Sequence, residues 1–230
     1  MTCFALIPAA GRGSRIAGGQ PKQYLALGGR PMLWHAVAAV CRAPVEMVFV
    51  VLAPGDAAFR GHDWSAFAGK LEPLFCGGET RRDSVFNGLV AAMAAVDADD
   101  WVLVHDAARP CLPAADLARL YEDCRNDEIG GILALPVADT VKRAAKDDAG
   151  GVRVAGTESR ELLWLAQTPQ MFRAGLLADA LRKARGTITD EAGALEQLGL
   201  KPRLVLGSRE NLKVTYPEDL AMAQAILARR

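Results

Sequence analysis

Short apolar runs alternate along the chain with longer segments in which apolar residues recur three and four positions apart. The short runs are rich in β-branched residues and show little alternation of apolar and polar positions, which is typical of strands covered on both faces. The longer segments have the spacing of a helix with one buried face. This alternation predicts an α/β domain whose mostly parallel sheet lies between two layers of helices.

The apolar runs predict strands at Cys3–Pro8, Glu46–Leu52, Leu71–Cys76, Trp101–His105 and Gly131–Val137. The helical spacing predicts helices at Met32–Cys41, Ser84–Ala95, Ala114–Cys124, Ala174–Arg185 and Glu191–Leu198. A short strand is predicted at Arg203–Leu206. A last helix is predicted to begin at Pro217, because proline and acidic residues favour the first turn of a helix.

One polar stretch, from Asp139 to Glu161, interrupts this pattern. It places a Gly150-Gly151 pair between two segments that are compatible with β-structure. Glycine pairs favour the tight turns of hairpins. We therefore predict a single domain over residues 1–230 from which residues 139–161 project as a β-hairpin arm.

The composition indicates a globular protein with no net charge. Hydrophobic residues make up 51% of the 230 residues and charged residues 23%, and 27 Lys and Arg balance 27 Asp and Glu. We therefore expect neither nucleic acid nor a membrane as a partner, and any anion must be bound by a local cluster of cations. No basic residue precedes the apolar start, and Pro8 interrupts it, so we predict a cytoplasmic protein with reduced cysteines rather than a signal peptide.

The strongest candidate site follows the first predicted strand. The segment Pro8–Arg15 reads P-A-A-G-R-G-S-R, and Pro21-Lys22-Gln23 follows it. Glycines at the carboxyl end of a strand allow backbone N–H groups to approach a phosphate. The loop fits neither a Walker A motif nor a dinucleotide fingerprint, but Arg12, Arg15 and Lys22 supply the positive charge that a triphosphate requires.

Two further segments follow predicted strands. In Val104–Pro110 (V-H-D-A-A-R-P), Asp106 is placed to hold Mg²⁺ or to accept hydrogen bonds from a polyol, although a local pair with Arg109 would also explain it. His105 has no partner histidine at metal-ligand spacing, so we interpret it as structural. In Gly77–Ser84, the glycines permit close approach to a base or ribose, and Ser84 either caps a helix or donates to a phosphate.

Residues near the end of the chain complete the set of candidates. Thr189 in T-I-T-D-E is suited to bind a substrate or to cap the next helix, and Lys213 in N-L-K-V-T is either a site residue or a surface lysine. Taken alone, the second explanation of each would be preferred.

Together these motifs resemble those of the 2-C-methyl-D-erythritol 4-phosphate cytidylyltransferase family. The resemblance covers the chain from its first strand to its last helix. Its motifs, in order, are P-A-A-G-x-G-x-R with P-K-Q, G-G-x-x-R-x-x-S-V at Gly77–Val85, V-H-D-A-A-R-P, P-V-x-D-T-x-K-R at Pro136–Arg143, Arg160, T-P-Q at Thr168–Gln170, T-D-E-A at Thr189–Ala192, and N-x-K-V-T at Asn211–Thr215.

The resemblance implies a three-layer α/β/α nucleotidyltransferase fold and a homodimer interlocked by the arm. It implies that CTP and a sugar-alcohol phosphate are the substrates, with Mg²⁺ as the cofactor, in isoprenoid precursor biosynthesis. The implied nucleotide-binding residues are Ala9, Ala10, Gly11, Gly13, Gly78, Arg81 and Ser84. The implied catalytic residues are Arg15, Lys22, Lys213 and the partner subunit's Arg160. The implied sugar-phosphate residues are Asp106, Ala107, Arg109, Thr140, Thr168 and Thr189, with Asp106 also a candidate metal ligand.

The sequence is also compatible with three other functions, of which two are disfavoured. A cytidylyltransferase for another polyol phosphate, such as ribitol 5-phosphate, would share the nucleotide loop. An NAD-dependent oxidoreductase is disfavoured because the third small residue of the fingerprint is replaced by Ile16. A nucleotide sensor without activity is disfavoured because both Arg15 and Lys22 are present.

Overall fold

The computed structural model of the chain describes residues 2–11 and 21–230. The strands are β1 (Cys3–Pro8), β2 (Ala26–Leu27), β3 (Arg30–Pro31), β4 (Val48–Val51), β5 (Leu71–Leu74), β6 (Trp101–Val104), β7 (Gly130–Pro136), β8 (Val141–Lys146), β9 (Val152–Glu158), β10 (Trp164–Arg173) and β11 (Arg203–Leu206). The α-helices are α1 (Met32–Val40), α2 (Arg81–Ala92), α3 (Ala114–Cys124), α4 (Ala174–Lys183), α5 (Glu191–Glu196) and α6 (Pro217–Leu227).

In the described ranges, seven strands form the central sheet in the order β11-β7-β10-β6-β1-β4-β5. β1 is parallel to β4 and β6, β4 is parallel to β5, and β7 is parallel to β11. β10 is antiparallel to both β6 and β7, so it enters the sheet from the edge at which its neighbours end. This edge, where the carboxyl ends of the parallel strands meet, is where ligands bind in open α/β sheets.

Successive residues of β1 point to opposite faces of the sheet and show how the layers form. Cys3, Ala5 and Ile7 pack into one cluster with the buried faces of α1 and α3. Phe4 and Leu6 pack into a second cluster with α2, α4 and α5. A strand covered on both faces must be apolar throughout, which is why the runs show no alternation. The predicted α/β/α class with a mostly parallel sheet is confirmed.

The predicted elements agree with the observed ones to within a few residues, apart from helix α2, strand β10 and the unpredicted two-residue strands β2 and β3. Helix α2 begins at Arg81 rather than Ser84, because the Thr80 hydroxyl accepts the backbone N–H of Asp83 and caps the helix there. Strand β10 was not predicted. Its pattern is broken by Thr168-Pro169-Gln170, and proline argues against a central strand. The register of β10 against β7 shifts between Ala166 and Gln170, so the strand absorbs the proline in a bulge.

The polar stretch forms the predicted hairpin. β8 and β9 pair with each other in a two-stranded sheet outside the central one, with Val141 opposite Glu158 at one end and Lys146 opposite Val152 at the other. Gly150 has a φ of +80°, and the Asp147 carboxylate accepts the backbone N–H groups of residues 149 and 151. The arm is mostly exposed, and this exposure includes Val152 and Val154.

None of the helices in residues 2–11 and 21–230 is long and apolar enough to span a lipid bilayer.

Helix α2 approaches the sheet so closely that Gly88 leaves no room for a side chain. A Cβ atom there would lie 2.3 Å from Cγ2 of Val51 and 3.0 Å from Cδ1 of Leu6. We expect Gly88→Ala to lower the free energy of unfolding by about 1–3 kcal/mol, because overpacking outweighs the better helix propensity of alanine. Urea denaturation measures this change.

Gly61→Ala is the matched control, since no described atom lies within 4 Å of a Cβ atom at Gly61. Equal stability of the two variants would contradict the close packing of α2.

Candidate active site

The carboxyl ends of β1, β4, β5 and β6 surround a cavity of about 630 Å³, here called the larger cavity. It lies where the loop after β1 meets the loop before α2, as the glycine motifs predicted. Its described lining includes the predicted site residues Ala9, Ala10, Gly11, Lys22, Gly78, Arg81, Ser84, Asp106, Ala107 and Lys213.

A smaller cavity of about 200 Å³ adjoins it on the side of β10. The predicted sugar-phosphate residues Arg109, Thr168 and Thr189 line this smaller cavity. Arg81, Asp106 and Lys213 line both cavities. These shared residues therefore form the junction between a space large enough for a nucleotide and a space suited to a smaller molecule.

Asp106 is the centre of this junction. Its Oδ1 accepts from Nε of Arg81 at 3.0 Å, and its Oδ2 lies 2.8 Å from Nζ of Lys213 and 3.8 Å from Nε of Arg109. Burial alone would raise the pKa of Asp106, but the charges of Arg81, Lys213 and Arg109 outweigh it and hold the pKa well below its usual range. Asp106 is therefore an anion at neutral pH, surrounded by positive charge.

Arg81 is held from its other side by Glu191, the first residue of α5. The two guanidinium nitrogens NH1 and NH2 donate to the two carboxylate oxygens at 2.6 and 3.0 Å, and Glu191 is fully buried. Burial would lower the pKa of Arg81, but the two carboxylates raise it above its usual range. The bidentate pair fixes the plane of the guanidinium group. Arg81 thus links α2, α5 and the loop after β6.

The glycine turn before α2 requires close backbone approach. A Cβ atom on Gly77 would lie 2.3 Å from Cβ of Ala10, and one on Gly78 would lie 2.4 Å from Cβ of Asp83. The interpretation of Ser84 as the cap of α2 was wrong, because Thr80 caps the helix. The Ser84 hydroxyl accepts the backbone N–H of Gly78 at 3.1 Å, so it braces the turn.

Lys22 lines the larger cavity and contacts the segment that follows β11. Its Nζ donates to the carbonyl of Val214 at 2.7 Å, and the N–H of Val214 donates to the carbonyl of Ala108 at 2.8 Å. The lysine after the glycine loop is therefore connected through main-chain atoms to the segment of Lys213 and to the loop that carries Asp106.

The bulge of β10 brings Thr168 against the same loop. The Thr168 hydroxyl accepts the backbone N–H of Asp106 at 2.9 Å and lies 3.1 Å from Nδ1 of His105. Nε2 of His105 lies 3.0 Å from the carbonyl of Arg109. Burial lowers the pKa of His105 to about 4, so its ring is neutral at pH 7.

Asn211 ties the end of the chain to this network. Its side-chain nitrogen Nδ2 donates to the backbone carbonyl of Thr168 at 2.8 Å, and its backbone carbonyl accepts from NH1 of Arg109 at 2.6 Å. Gln170 connects β10 to α5, since its side chain donates to Asp190 and accepts the N–H of Ala192, each at 2.9 Å. Asp190, rather than Thr189, caps α5, so Thr189 is left exposed at the rim of the smaller cavity.

The predicted site residues thus fall into three groups, and their roles stay predictions. Most line one of the two cavities. Thr140 and Arg160 are exposed at the base of the arm, where Arg160 donates to the carbonyl of Ala138, and neither appears in the described lining of either cavity. Gly13, Arg15 and Arg12 lie outside the described residues.

Several residues that organise the site could not be identified from the sequence. Glu191, Gln170 and Asn211 stood inside quoted motifs, but nothing in a motif indicates which partner a buried polar side chain will find. His105 was interpreted as structural, and its position between Asp106 and β10 could not be inferred while β10 itself was unpredicted.

The described residues offer no complete metal cage. No group of three or more His, Cys, Asp or Glu side chains in this part of the chain is arranged to hold a metal ion. Asp106 and Glu79 are carboxylates of the larger cavity. Mg²⁺ commonly takes one or two carboxylates and obtains its other ligands from substrate phosphates and water. The lining therefore fits a divalent cation that arrives with a triphosphate.

A cavity of nucleotide size at the carboxyl edge of an α/β/α sheet, lined by glycines and by Lys22, Arg81 and Lys213, indicates an enzyme of the nucleotidyltransferase class. The sequence model of the 2-C-methyl-D-erythritol 4-phosphate cytidylyltransferase family matches residues 3–229. The chain belongs to this family, as its motifs predicted.

Similar proteins agree with this assignment. The 2-C-methyl-D-erythritol 4-phosphate cytidylyltransferase of Dechloromonas aromatica is 58% identical over 99% of this chain and 98% of that protein. The enzyme of the same name from Nitrosospira multiformis is 56% identical over 97% of each chain. A crystal structure of 4-diphosphocytidyl-2C-methyl-D-erythritol synthase superposes with a TM-score of 0.84 at 40% identity, covering 98% of each chain.

The neutral state of His105 predicts a pH dependence of stability. The folded state keeps the pKa near 4, whereas the unfolded chain restores it to about 6.5. Between these values the unfolded state binds more protons, so stability falls as the pH decreases. We expect the wild type to lose about 2 kcal/mol more unfolding free energy between pH 7 and pH 5 than His105→Gln loses.

Urea denaturation of both proteins at the two pH values measures this difference. An identical pH dependence in the variant would mean that the buried ring is not the source of the effect.

Proposed function

We propose that this chain transfers the cytidylyl group of CTP to 2-C-methyl-D-erythritol 4-phosphate and releases pyrophosphate. The observation that carries the proposal is the pair of adjoining cavities joined by Arg81, Asp106 and Lys213. The larger cavity accommodates the nucleotide between residues 9–11 and the turn of Gly77 and Gly78. The smaller cavity accommodates the alcohol phosphate, so the attacking group and the α-phosphate meet at the junction.

The nucleophile in this reaction needs no general base. A phosphate monoester has a second pKa of about 6, so it is largely a dianion at neutral pH. Among the described residues, neither cavity is lined by a histidine or cysteine side chain. An oxygen of the monoester attacks the α-phosphorus, the bond from that phosphorus to the bridging oxygen breaks, and pyrophosphate departs with the electron pair.

The barrier is mainly electrostatic, because a dianion must approach a polyanion and charge then grows on the leaving pyrophosphate. Lys22 lines the larger cavity, and we assign it, together with Arg15, to stabilise this growing charge. Lys213 stands at the junction and orients the attacking phosphate. These fixed cations replace water, which would have to reorganise during the reaction.

A divalent cation adds to this charge. Asp106 would be a protein ligand of Mg²⁺, and when bound the ion neutralises the phosphate oxygens of the nucleotide and of the leaving group. The ion pairs of Asp106 with Arg81 and Lys213 leave each carboxylate oxygen a further lone pair, which a polyol hydroxyl can also use.

A second copy of the chain would complete the site. Thr140 and Arg160 belong to the predicted site but lie at the base of the exposed arm in their own chain. Exposed apolar residues of the arm, including Val152 and Val154, favour burial against a partner. We propose that residues 139–161 exchange between two copies and that Arg160 acts in the partner's smaller cavity.

A pyrophosphate-release assay tests the proposed activity. We expect release with CTP and 2-C-methyl-D-erythritol 4-phosphate in the presence of Mg²⁺, and much less with ATP, GTP or UTP. Lys22→Ala should lower kcat by about 10²–10³, as the loss of one transition-state donor does in other enzymes. Lys201→Ala, at an exposed lysine outside both cavities, is the matched control and should have normal kcat.

Ribitol 5-phosphate is tested in parallel as the competing alcohol. A higher kcat/KM with ribitol 5-phosphate would replace the proposed substrate, and no release with any nucleotide would refute the proposed activity.

Mixing variants tests the exchange of arms. Lys22→Ala and Arg160→Ala should each be nearly inactive alone, because each removes a charge from every site. If a site takes Lys22 from one chain and Arg160 from the other, a mixed dimer has one intact site. Equimolar exchange should therefore restore about a quarter of the wild-type activity.

Native mass spectrometry of differently labelled chains verifies that exchange has occurred. Exchange without recovery of activity would show that each site is built within one chain.

A further inference from the structure

His105 is a fully buried polar residue that takes no part in the proposed chemistry. It follows β6 directly, and its backbone N–H donates to the carbonyl of Leu6 at 3.0 Å. Its two ring nitrogens face two different segments of the smaller cavity's wall. Nε2 faces the carbonyl of Arg109, and Nδ1 faces the hydroxyl of Thr168. The ring therefore joins the loop after β6 to the bulge of β10.

The partners of the ring determine where its proton lies. A carbonyl oxygen can only accept, so Nε2 must carry the proton that is shared with Arg109. The Thr168 hydroxyl already accepts one hydrogen bond, and Nδ1 is the acceptor that lies within reach of its proton, so the hydroxyl donates to the lone pair of Nδ1. The same hydroxyl accepts the backbone N–H of Asp106. Donors and acceptors thus alternate without a gap from Asp106 through Thr168 and His105 to the Arg109 carbonyl.

This chain of hydrogen bonds fixes polar groups at the smaller cavity. The backbone N–H of Arg109 also donates to the carbonyl of Asp106 at 3.0 Å, which closes the turn between them. The Thr168 hydroxyl has given its proton to the ring. It can therefore offer the cavity only an acceptor, which suits a hydroxyl of a polyol rather than a phosphate oxygen.

We propose that His105 is a positioning residue for the alcohol-phosphate half of the site: its buried imidazole bridges the Thr168 hydroxyl and the Arg109 carbonyl and so holds the bulge of β10 against the turn that carries Asp106 and Arg109. The proposal rests on the proposed cytidylyl transfer. It predicts that changes at His105 act mainly on the alcohol phosphate, because both hydrogen-bond partners of the ring, Arg109 and Thr168, line the smaller cavity and not the larger one.

Two substitutions separate the two hydrogen bonds of the ring. The amide of His105→Asn reaches the position of Nδ1 and keeps a partner for Thr168, whereas that of His105→Gln reaches the position of Nε2 and keeps the Arg109 carbonyl. We expect each variant to lower kcat/KM for the alcohol phosphate by about tenfold, the usual consequence of losing one buried hydrogen bond. The KM for CTP should change by less than about twofold.

His35→Gln is the matched control, since Nε2 of His35 also lies 2.8 Å from a backbone carbonyl, that of Leu27, and His35 lies outside the described lining of both cavities. It should keep both KM values and kcat. A merely structural role for His105 would lower the urea midpoint and leave the kinetics of the folded fraction normal. That result, or equal changes in the KM of both substrates, would overturn the proposal.

A double variant tests whether His105 acts through Thr168. Thr168→Val removes the hydroxyl, so adding His105→Gln in that background should lower kcat/KM by less than about twofold, because the shared hydrogen bond is already lost. If the two losses instead multiply, His105 does not act through that hydroxyl.

A measurement on the wild-type protein covers the case in which the variants do not fold. ¹⁵N NMR of labelled histidine reports which ring nitrogen is protonated, and we expect the neutral form with the proton on Nε2 for His105. A proton on Nδ1 would overturn the proposal. Wild-type protein that fails to release pyrophosphate would refute the proposed function instead, so the two failures are distinguishable.

Discussion

The arrangement of the site depends on one buried anion, the carboxylate of Asp106, and on the cations that neutralise it. An unpaired charge at this depth would be too costly to keep, so the fold must bring positive side chains to it. Arg81 comes from α2, Lys213 from the segment after β11 and Arg109 from the loop of Asp106 itself. A single charge therefore fixes separate parts of the chain at the junction of the two cavities. Glu191 extends the cluster to α5 through Arg81.

The reversed strand β10 supplies the other constraint. It enters the sheet at the edge where β6 and β7 end, so its bulge lies beside the loop of Asp106 rather than at the opposite edge. The polar side chains of Thr168 and Gln170, which would be unfavourable in the middle of a buried strand, find partners there in His105 and in the first turn of α5. The bulge of β10 therefore forms one wall of the smaller cavity.

Much of the fold followed from local patterns. Apolar runs predicted the buried strands because the sheet is covered on both faces, and helical spacing predicted α1 and α3 almost to the residue. The start of α2 was wrong by three positions, since Thr80 and Asp83 satisfy the first N–H groups before the apolar pattern begins. β10 escaped prediction because its stabilising contacts are with strands distant in sequence, whereas its local pattern contains a proline.

The sequence by itself determined the layered α/β class, the glycine turns at the sheet edge and the charged residues available there, because these depend on periodicity and on residue type. Only the tertiary structure decided which charges meet. Glu191 and Arg81 are 110 positions apart, and Asp106 and Thr168 are 62 positions apart. No local pattern encodes such pairs. The partners of a buried polar group are set by the path of the whole chain, because each must be satisfied by whatever donor or acceptor the packing brings within reach.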